Sequence, residues 1–274
     1  MSRSSDHKER LRARYRDASV LNARMQFYQR FSTNECSLHR WIFDQFHLSP
    51  ESQILELGCG TGYLWLENRD RIPDGWAITL SDLAAGMLRE ARQNLGALAR
   101  RFRFSIIDAR SIPFPSESLD SVIANHMLYH IRPDRAQALQ GIARVLKPTG
   151  RLYASTNARH NPQGLGAWIA RFDPNLQDRR GADSRRVTAD TFYLENGRDQ
   201  LARWFAKVRI ARYDNVLSVT ESGPLIANLR TRNWLDDDRI PAFTQFIERE
   251  IALHGAIHMT KRVGILEASH PRKQ

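Results

Sequence analysis

A chain of 274 residues, 42% of them hydrophobic, is long enough to bury a full α/β core with length left over for a cap, and no apolar run approaches the roughly 18 residues of a membrane span. The charged start, residues 1–16, has no apolar stretch behind it, and two cysteines, Cys36 and Cys59, are too few for a disulfide framework and lack metal-ligand spacing. A cytoplasmic protein without membrane segment or metal is expected. The net charge of +11 rests on 41 basic residues, only five of them lysines, scattered among acids rather than clustered, which argues against nucleic acid as a partner.

Leu11, Tyr15, Ala18, Leu21, Met25 and Tyr28 recur every three or four positions, which predicts a helix. Leu38, Trp41, Ile42 and Phe46 predict a second, ending before Ser49 and Pro50. Residues 1–50 are thus expected to form an N-terminal helical cap, with 51–274 as the main domain. There, short apolar runs at 53–57, 76–80, 102–107, 119–124 and 151–155 alternate with amphipathic stretches around Met87, Leu88, Ala91, Leu95 and around Leu139, Ile142, Ala143, Leu146. That alternation specifies an α/β fold, a mostly parallel sheet covered on both faces. Lys147-Pro148-Thr149-Gly150 carries turn chemistry before the fifth strand. Residues 157–190, rich in Gly, Pro, Asn, Asp and Arg, are expected to be a cap insertion over the substrate site. Residues 207–213 and 258–267 predict two late strands.

The run Ile54-Leu55-Glu56-Leu57-Gly58-Cys59-Gly60-Thr61-Gly62 leads a buried strand into a glycine turn and then a helical stretch. Glycines allow a tight turn and close approach of the backbone to a ligand, and the start of a helix offers free N–H groups. The third glycine falls one residue too early for the dinucleotide fingerprint, Tyr63 standing where it would be needed, so a smaller adenosyl ligand fits better. Glu56 can hold the amino group of a methionine tail directly or through water. Asp82, twenty residues past Gly62 and just after a strand, can accept from both ribose hydroxyls, although an aspartate there also suits a helix N-cap. Asp108, after the third strand, can accept from an adenine amino group while Ala109 offers its N–H to the ring. Cys59 occupies a position in the turn that requires a small residue and is given no redox or nucleophilic role.

With these residues the chain resembles the class I S-adenosylmethionine-dependent methyltransferases, the small-molecule subgroup in particular. The likeness runs over about 53–155 and includes Phe114-Pro115, Asn125-His126-Met127-Leu128-Tyr129-His130 and Arg144 to Gly150. It implies a doubly wound Rossmann-like seven-stranded sheet whose last strand, 258–267, is antiparallel. It also implies S-adenosyl-L-methionine as cofactor, lined by Gly58, Gly60, Asp82, Leu83, Asp108, Ala109 and Asn125; Met87 joins that set from the following helix.

Methyl transfer from a sulfonium is an in-line displacement, so positioning matters most and a base is needed only for an acceptor that must lose a proton. His126, Tyr129 and His130, after the fourth strand, are the catalytic candidates, set against the plainer reading of packed or capping histidines. Tyr15, Arg24, Tyr28 and Phe31 on the first helix, with His160 and Trp168 in the insertion, are candidates for the acceptor side, where aromatic faces attract a cation. A small-molecule acceptor is the expected partner, and a homodimer is compatible with the sequence. An RNA methyltransferase is favoured by charge alone and lacks an Asn-Pro-Pro-aromatic motif after the fourth strand. The same residues also suit a cofactor-binding relative without catalysis, or a relative that uses a modified sulfonium.

Overall fold

The computed structural model describes residues 9, 12–13, 18–159, 164–176, 191–231 and 235–272. Tyr15, His160 and most of the stretch before Ala18 lie outside them. Seven strands form one sheet: β1 (Gln53–Leu57), β2 (Ala77–Asp82), β3 (Phe102–Ile106), β4 (Leu119–Asn125), β5 (Leu146–Asn157), β6 (Phe205–Val219) and β7 (Ile257–Pro271), in the order β3-β2-β1-β4-β5-β7-β6. The first five are parallel, and β7 runs antiparallel to both neighbours, as the resemblance implies. The described α-helices are α1 (Ser19–Phe31), α2 (Leu38–Asp44), α3 (Tyr63–Glu67), α4 (Ala85–Leu95), α5 (Arg135–Val145), α6 (Leu165–Phe172), α7 (Leu194–Ala202), α8 (Ser222–Arg230) and α9 (Ile240–His254).

Successive strand residues point to opposite faces, and the core divides accordingly. Leu55, Leu57, Val122, Ala124, Leu152 and Ala154 pack under α5 and α7. Their neighbours Ile54, Ile123 and Tyr153 pack with Ile78 and Leu80 against Ile42 and Phe43 of α2, Trp65 of α3 and Leu88 and Leu95 of α4. Because both faces are covered, β1 reads as a near-continuous apolar run rather than an alternating one.

The chain departs from the sequence expectations at three places. Residues Lys147–Gly150 lie inside β5 as a bulge, since Leu119 pairs with Leu146 and Ser121 already with Arg151. A Cβ at Gly150 would meet Lys147 O at 2.9 Å and Leu119 O at 3.0 Å, so glycine is needed where the two backbones approach. The late strands are much longer than 207–213 and 258–267 and run as a continuous antiparallel ladder from Phe205↔Pro271 to Val219↔Ile257. Their far ends carry a second core: Leu217, Val219, Ile257 and Met259 meet Phe27 and Phe31 of α1, Ile169 of α6, Leu229 of α8 and Phe243 and Ile247 of α9. The described part of the segment expected as an insertion over the substrate site contributes α6 to this core, with Trp168 tilted against Phe246 and Phe172 edge-on to Phe243.

Candidate functional site

The strand order reverses between β1 and β4, and a crevice opens outside the carboxyl ends of the strands on either side of such a switch point. Here it is a cleft of about 550 Å³, within the range of small-molecule sites.

Its floor is the glycine turn. Gly58, Gly60 and Gly62 have φ of 68°, 54° and 77°, values that a residue with a Cβ adopts only at a cost. A Cβ on Gly58 would stand 2.8 Å from Cβ of Met127, because the loop leaving β4 crosses directly over it; one on Gly60 would stand 3.1 Å from Leu21 of α1. The Asp82 carboxylate staples the turn, with Oδ2 accepting from Gly60 N–H at 3.1 Å and Oδ1 from Ala84 N–H at 2.9 Å. Burial pushes that carboxyl above its ordinary value, while the N–H donors of Ala84, Gly60 and Leu83 pull the other way. Cys59 N–H donates to Ser81 O at 2.8 Å and Asn94 Nδ2 to Thr61 O at 3.0 Å, so β2 and α4 hold the turn from both sides. The helix that follows has only five residues, leaving the turn, rather than a long helix, as the cradle.

Of the residues expected at a cofactor, Gly58, Cys59, Gly60, Asp82, Leu83 and Met87 line the cleft on the β1–β2 side, and Asp108, Ala109 and Asn125 line it farther round. Gly62 lies beneath, under Leu95 and Ala91 of α4. Glu56 also lies outside the cleft wall. Its carboxyl is 1% exposed and accepts from Trp65 Nε1 at 2.6 Å. Burial, with the charge of Asp82 adding to it, pushes Glu56 up to about 7 against the opposing Trp65 hydrogen bond. Glu56 thus lies behind the turn, held by Trp65. Asp108 is held by Arg110, whose Nε reaches Oδ1 at 2.9 Å and Nη2 reaches Oδ2 at 2.8 Å. Asn125 Oδ1 accepts from Ser155 Oγ. The Cys59 thiol is pushed well up by burial, with Glu56 and Asp82 adding to the rise, which leaves it protonated and unreactive at neutral pH.

His126, Tyr129 and His130 all reach the cleft. His126 takes a left-handed backbone with φ 52°. The residue is half-buried, but Nε2 is shielded from solvent and has no hydrogen-bond partner among the described residues. Burial, with the charges of Lys261, His39 and His130, lowers it to about 3, so it is a neutral hydrogen-bonding imidazole and a weak base. Among the acceptor candidates Arg24 and Tyr28 line the cleft, with Arg24 Nε donating to Thr231 Oγ1 at 2.9 Å. Phe31 and Trp168 belong to the second core instead.

The fold also brings in residues that no sequence pattern singled out. Lys261 of β7, 8% exposed, stands with Nζ 3.5 Å from the centroid of the Tyr28 ring, and its cross-strand partner on β6 is Asn215, itself buried. His39 of α2 and Glu67 of α3 meet on the same wall. These are polar side chains at inward-facing positions, the one signal that periodicity treats as noise.

The glycine cradle, which any Cβ would fill, and the carboxylates of Asp82 and Asp108 at adjacent strand ends fit an adenosyl sulfonium ligand. Comparison with known proteins agrees. A family model described as a methyltransferase domain matches residues 54–150. Residues 54–150 are thus similar to a methyltransferase domain. The chain is 34% identical over 115 residues to a ubiquinone/menaquinone biosynthesis C-methyltransferase of Methylococcus capsulatus, covering 41% of this chain and 46% of that protein. It is 35% identical over 120 residues to a malonyl-[acyl-carrier protein] O-methyltransferase of Serratia marcescens, covering 43% and 44%. The matched region thus spans about half the length of these relatives. In fold, the chain superposes on the YcgJ protein of Bacillus subtilis with a TM-score of 0.55 at 14% identity, over 86% of this chain and 98% of that one. The methyltransferase domain holds the expected cofactor residues, whereas Tyr28, His39, Asn215 and Lys261 all lie outside the matched segment.

Proposed function

We propose that the protein transfers the methyl group of S-adenosyl-L-methionine to a small-molecule acceptor. The observation that carries this reading is the glycine turn stapled by Asp82 at the switch point of the sheet. Gly58 and Gly60 let the backbone approach the ligand closely, Asp82 and Asp108 offer carboxylate oxygens to its ribose and adenine, and Asn125 and Met127 close the cleft above. When bound, the cofactor supplies an electrophilic methyl carbon. The protein's own work is to hold the acceptor in line with it and to exclude water, and orientation alone supplies on the order of 7 to 11 kcal/mol of such a barrier.

The named relatives include a C-methyltransferase and an O-methyltransferase, so a shared cofactor domain serves different acceptor atoms. Choice of acceptor then falls to the residues outside 54–150 that face the same cleft. No described helix is long and apolar enough to cross a membrane, and among the described residues no metal-binding cluster occurs.

Calorimetric titration with S-adenosylmethionine and S-adenosylhomocysteine tests the reading, alongside Asp82→Asn, which keeps an acceptor for one staple bond and removes the charge. Saturable binding by the wild type, weakened at least about tenfold (about 1.4 kcal/mol) in the variant, is expected. A wild type that binds neither ligand overturns the proposal.

A further inference from the structure

On the cleft wall opposite the glycine turn's Asp82 staple, His39 and Glu67 form a hydrogen-bonded pair, Nδ1 to Oε1 at 2.9 Å, with side chains only 18% and 19% exposed. Glu67 also accepts from Ser37 Oγ and, at 3.1 Å, from Gln29 Nε2. Burial alone would push its carboxyl up, but the hydrogen bonds from His39, Ser37 and Gln29 and the charge of His39 outweigh burial and hold it below the ordinary value. An ionised carboxylate can only accept, so Nδ1 carries the hydrogen, and in the neutral ring Nε2 then keeps the lone pair. Nε2 has no hydrogen-bond partner among the described residues. The ring is fixed further by stacking on Tyr63, with centroids 6.4 Å apart and planes inclined by 16°, and by Asn68 Nδ2 donating to the His39 carbonyl at 3.1 Å.

This arrangement differs in kind from that of His126 in the same cleft. His126 is neutral and lacks a carboxylate partner among the described residues, so it can accept a hydrogen bond but cannot usefully store a proton. Lys261 brings a buried positive charge to the same region. A cation there disfavours an ammonium acceptor and favours an atom on which negative charge develops.

We propose that His39 is the general base of the transfer step, with Glu67 as its positioning residue, and that the acceptor is a hydroxyl group whose oxygen faces Lys261. This rests on the methyl-transfer reading above. His39 Nε2 takes the hydroxyl proton as the oxygen–methyl bond forms and the methyl–sulfur bond breaks. The electron pair of the broken bond stays on sulfur, giving a neutral thioether, and the positive charge lost there reappears on the imidazolium beside Glu67. The site's total charge is the same before and after. Among the described residues, the titratable or charged groups that line the cleft with the dyad include Arg24 and Tyr28 on α1, Glu35, Tyr63 on α3, Tyr213 on β6, His126 after β4 and Lys261 on β7.

The test uses the full chain in three measurements. Calorimetry with S-adenosylhomocysteine should give His39→Asn an affinity within about threefold of wild type; a wild type that does not bind removes the methyl-transfer reading and this proposal with it. Long-range ¹H–¹⁵N spectra should show His39 with hydrogen on Nδ1 and bare Nε2, a preference lost in Glu67→Gln; the opposite tautomer overturns the proposal even where the cofactor binds. Initial rates with labelled S-adenosylmethionine and a panel of phenols, hydroxy acids, amines and activated carbons complete it. Methyl transfer to oxygen, with kcat reduced about a hundredfold in His39→Asn at little change in KM and the pH profile displaced in Glu67→Gln, is expected. Transfer to nitrogen or carbon alone, or a His39→Asn rate within about threefold of wild type, overturns it. If nothing in the panel is methylated, the tautomer and its response to Glu67→Gln decide.

Discussion

Replacing Glu56 by glutamine should change how stability depends on pH, and the size of the change follows from its surroundings. Burial raises the carboxyl from an ordinary 4.5 to about 7, with Asp82 adding to the rise and the Trp65 hydrogen bond opposing it. A group whose value is higher in the folded chain than in the unfolded one favours folding while protonated. Its contribution is complete below the unfolded value and is lost as pH rises through the folded one. At about 1.4 kcal/mol per pH unit, the gap amounts to about 3 kcal/mol, a large share of the roughly 5–15 kcal/mol that keeps a domain folded. Glutamine cannot ionise, and its carbonyl still accepts from Trp65 Nε1. Urea unfolding of the ligand-free wild type and Glu56→Gln, at steps from about pH 5 to about pH 8.5, should show the variant gaining on the wild type by about 2.5 kcal/mol across that range. A difference that stays constant with pH would refute the reasoning, because it would mean that the carboxylate is solvated or already ionised in the fold.

Gly58→Ala combines a left-handed backbone with a Cβ 2.8 Å from Cβ of Met127; a loss of about 2–4 kcal/mol is expected, measured as a fall in Tm together with weaker S-adenosylhomocysteine binding. The lowered value of His126 means that its ring stays neutral, so the stability it contributes is present above the ordinary histidine range and declines as pH falls below about 6.5 toward about 3. Its imidazole resonances should accordingly not move between about pH 8 and about pH 5.5, and a titration within that window would contradict the shielding of Nε2. Tyr153→Phe removes the hydroxyl that accepts from His47 N–H at 2.9 Å and should cost about 1 kcal/mol in urea unfolding, with cofactor binding unchanged.

Much of this protein is legible in one dimension. β1, the glycine turn and Asp82 are close in sequence, and their chemistry is local: apolar residues run into glycines, which adopt φ near 54–77° at the least cost. Alternating strands and amphipathic helices then allow few arrangements, because parallel strands need crossovers and the connections have a fixed hand, and so the doubly wound sheet and its cofactor crevice follow. What the sequence could not show is which distant residues share the other half of the cleft. Asn215 and Lys261 pair across β6 and β7 at positions where a strand pattern calls for apolar residues, and the polar Asp214 and Asn215 are why β6 reads as ending at 213. Trp168 and Phe31 carry helical spacing that says only which face is buried, not against what; tertiary packing sent them to the second core. His39 and Glu67, 28 residues apart, carry no pattern at all. Local propensity and periodicity determine the elements and the turn that cradles a nucleotide. Only the three-dimensional closure of α1, α2 and the β6–β7 ladder over that turn decides which polar groups are desolvated together, and so which of them can do chemistry.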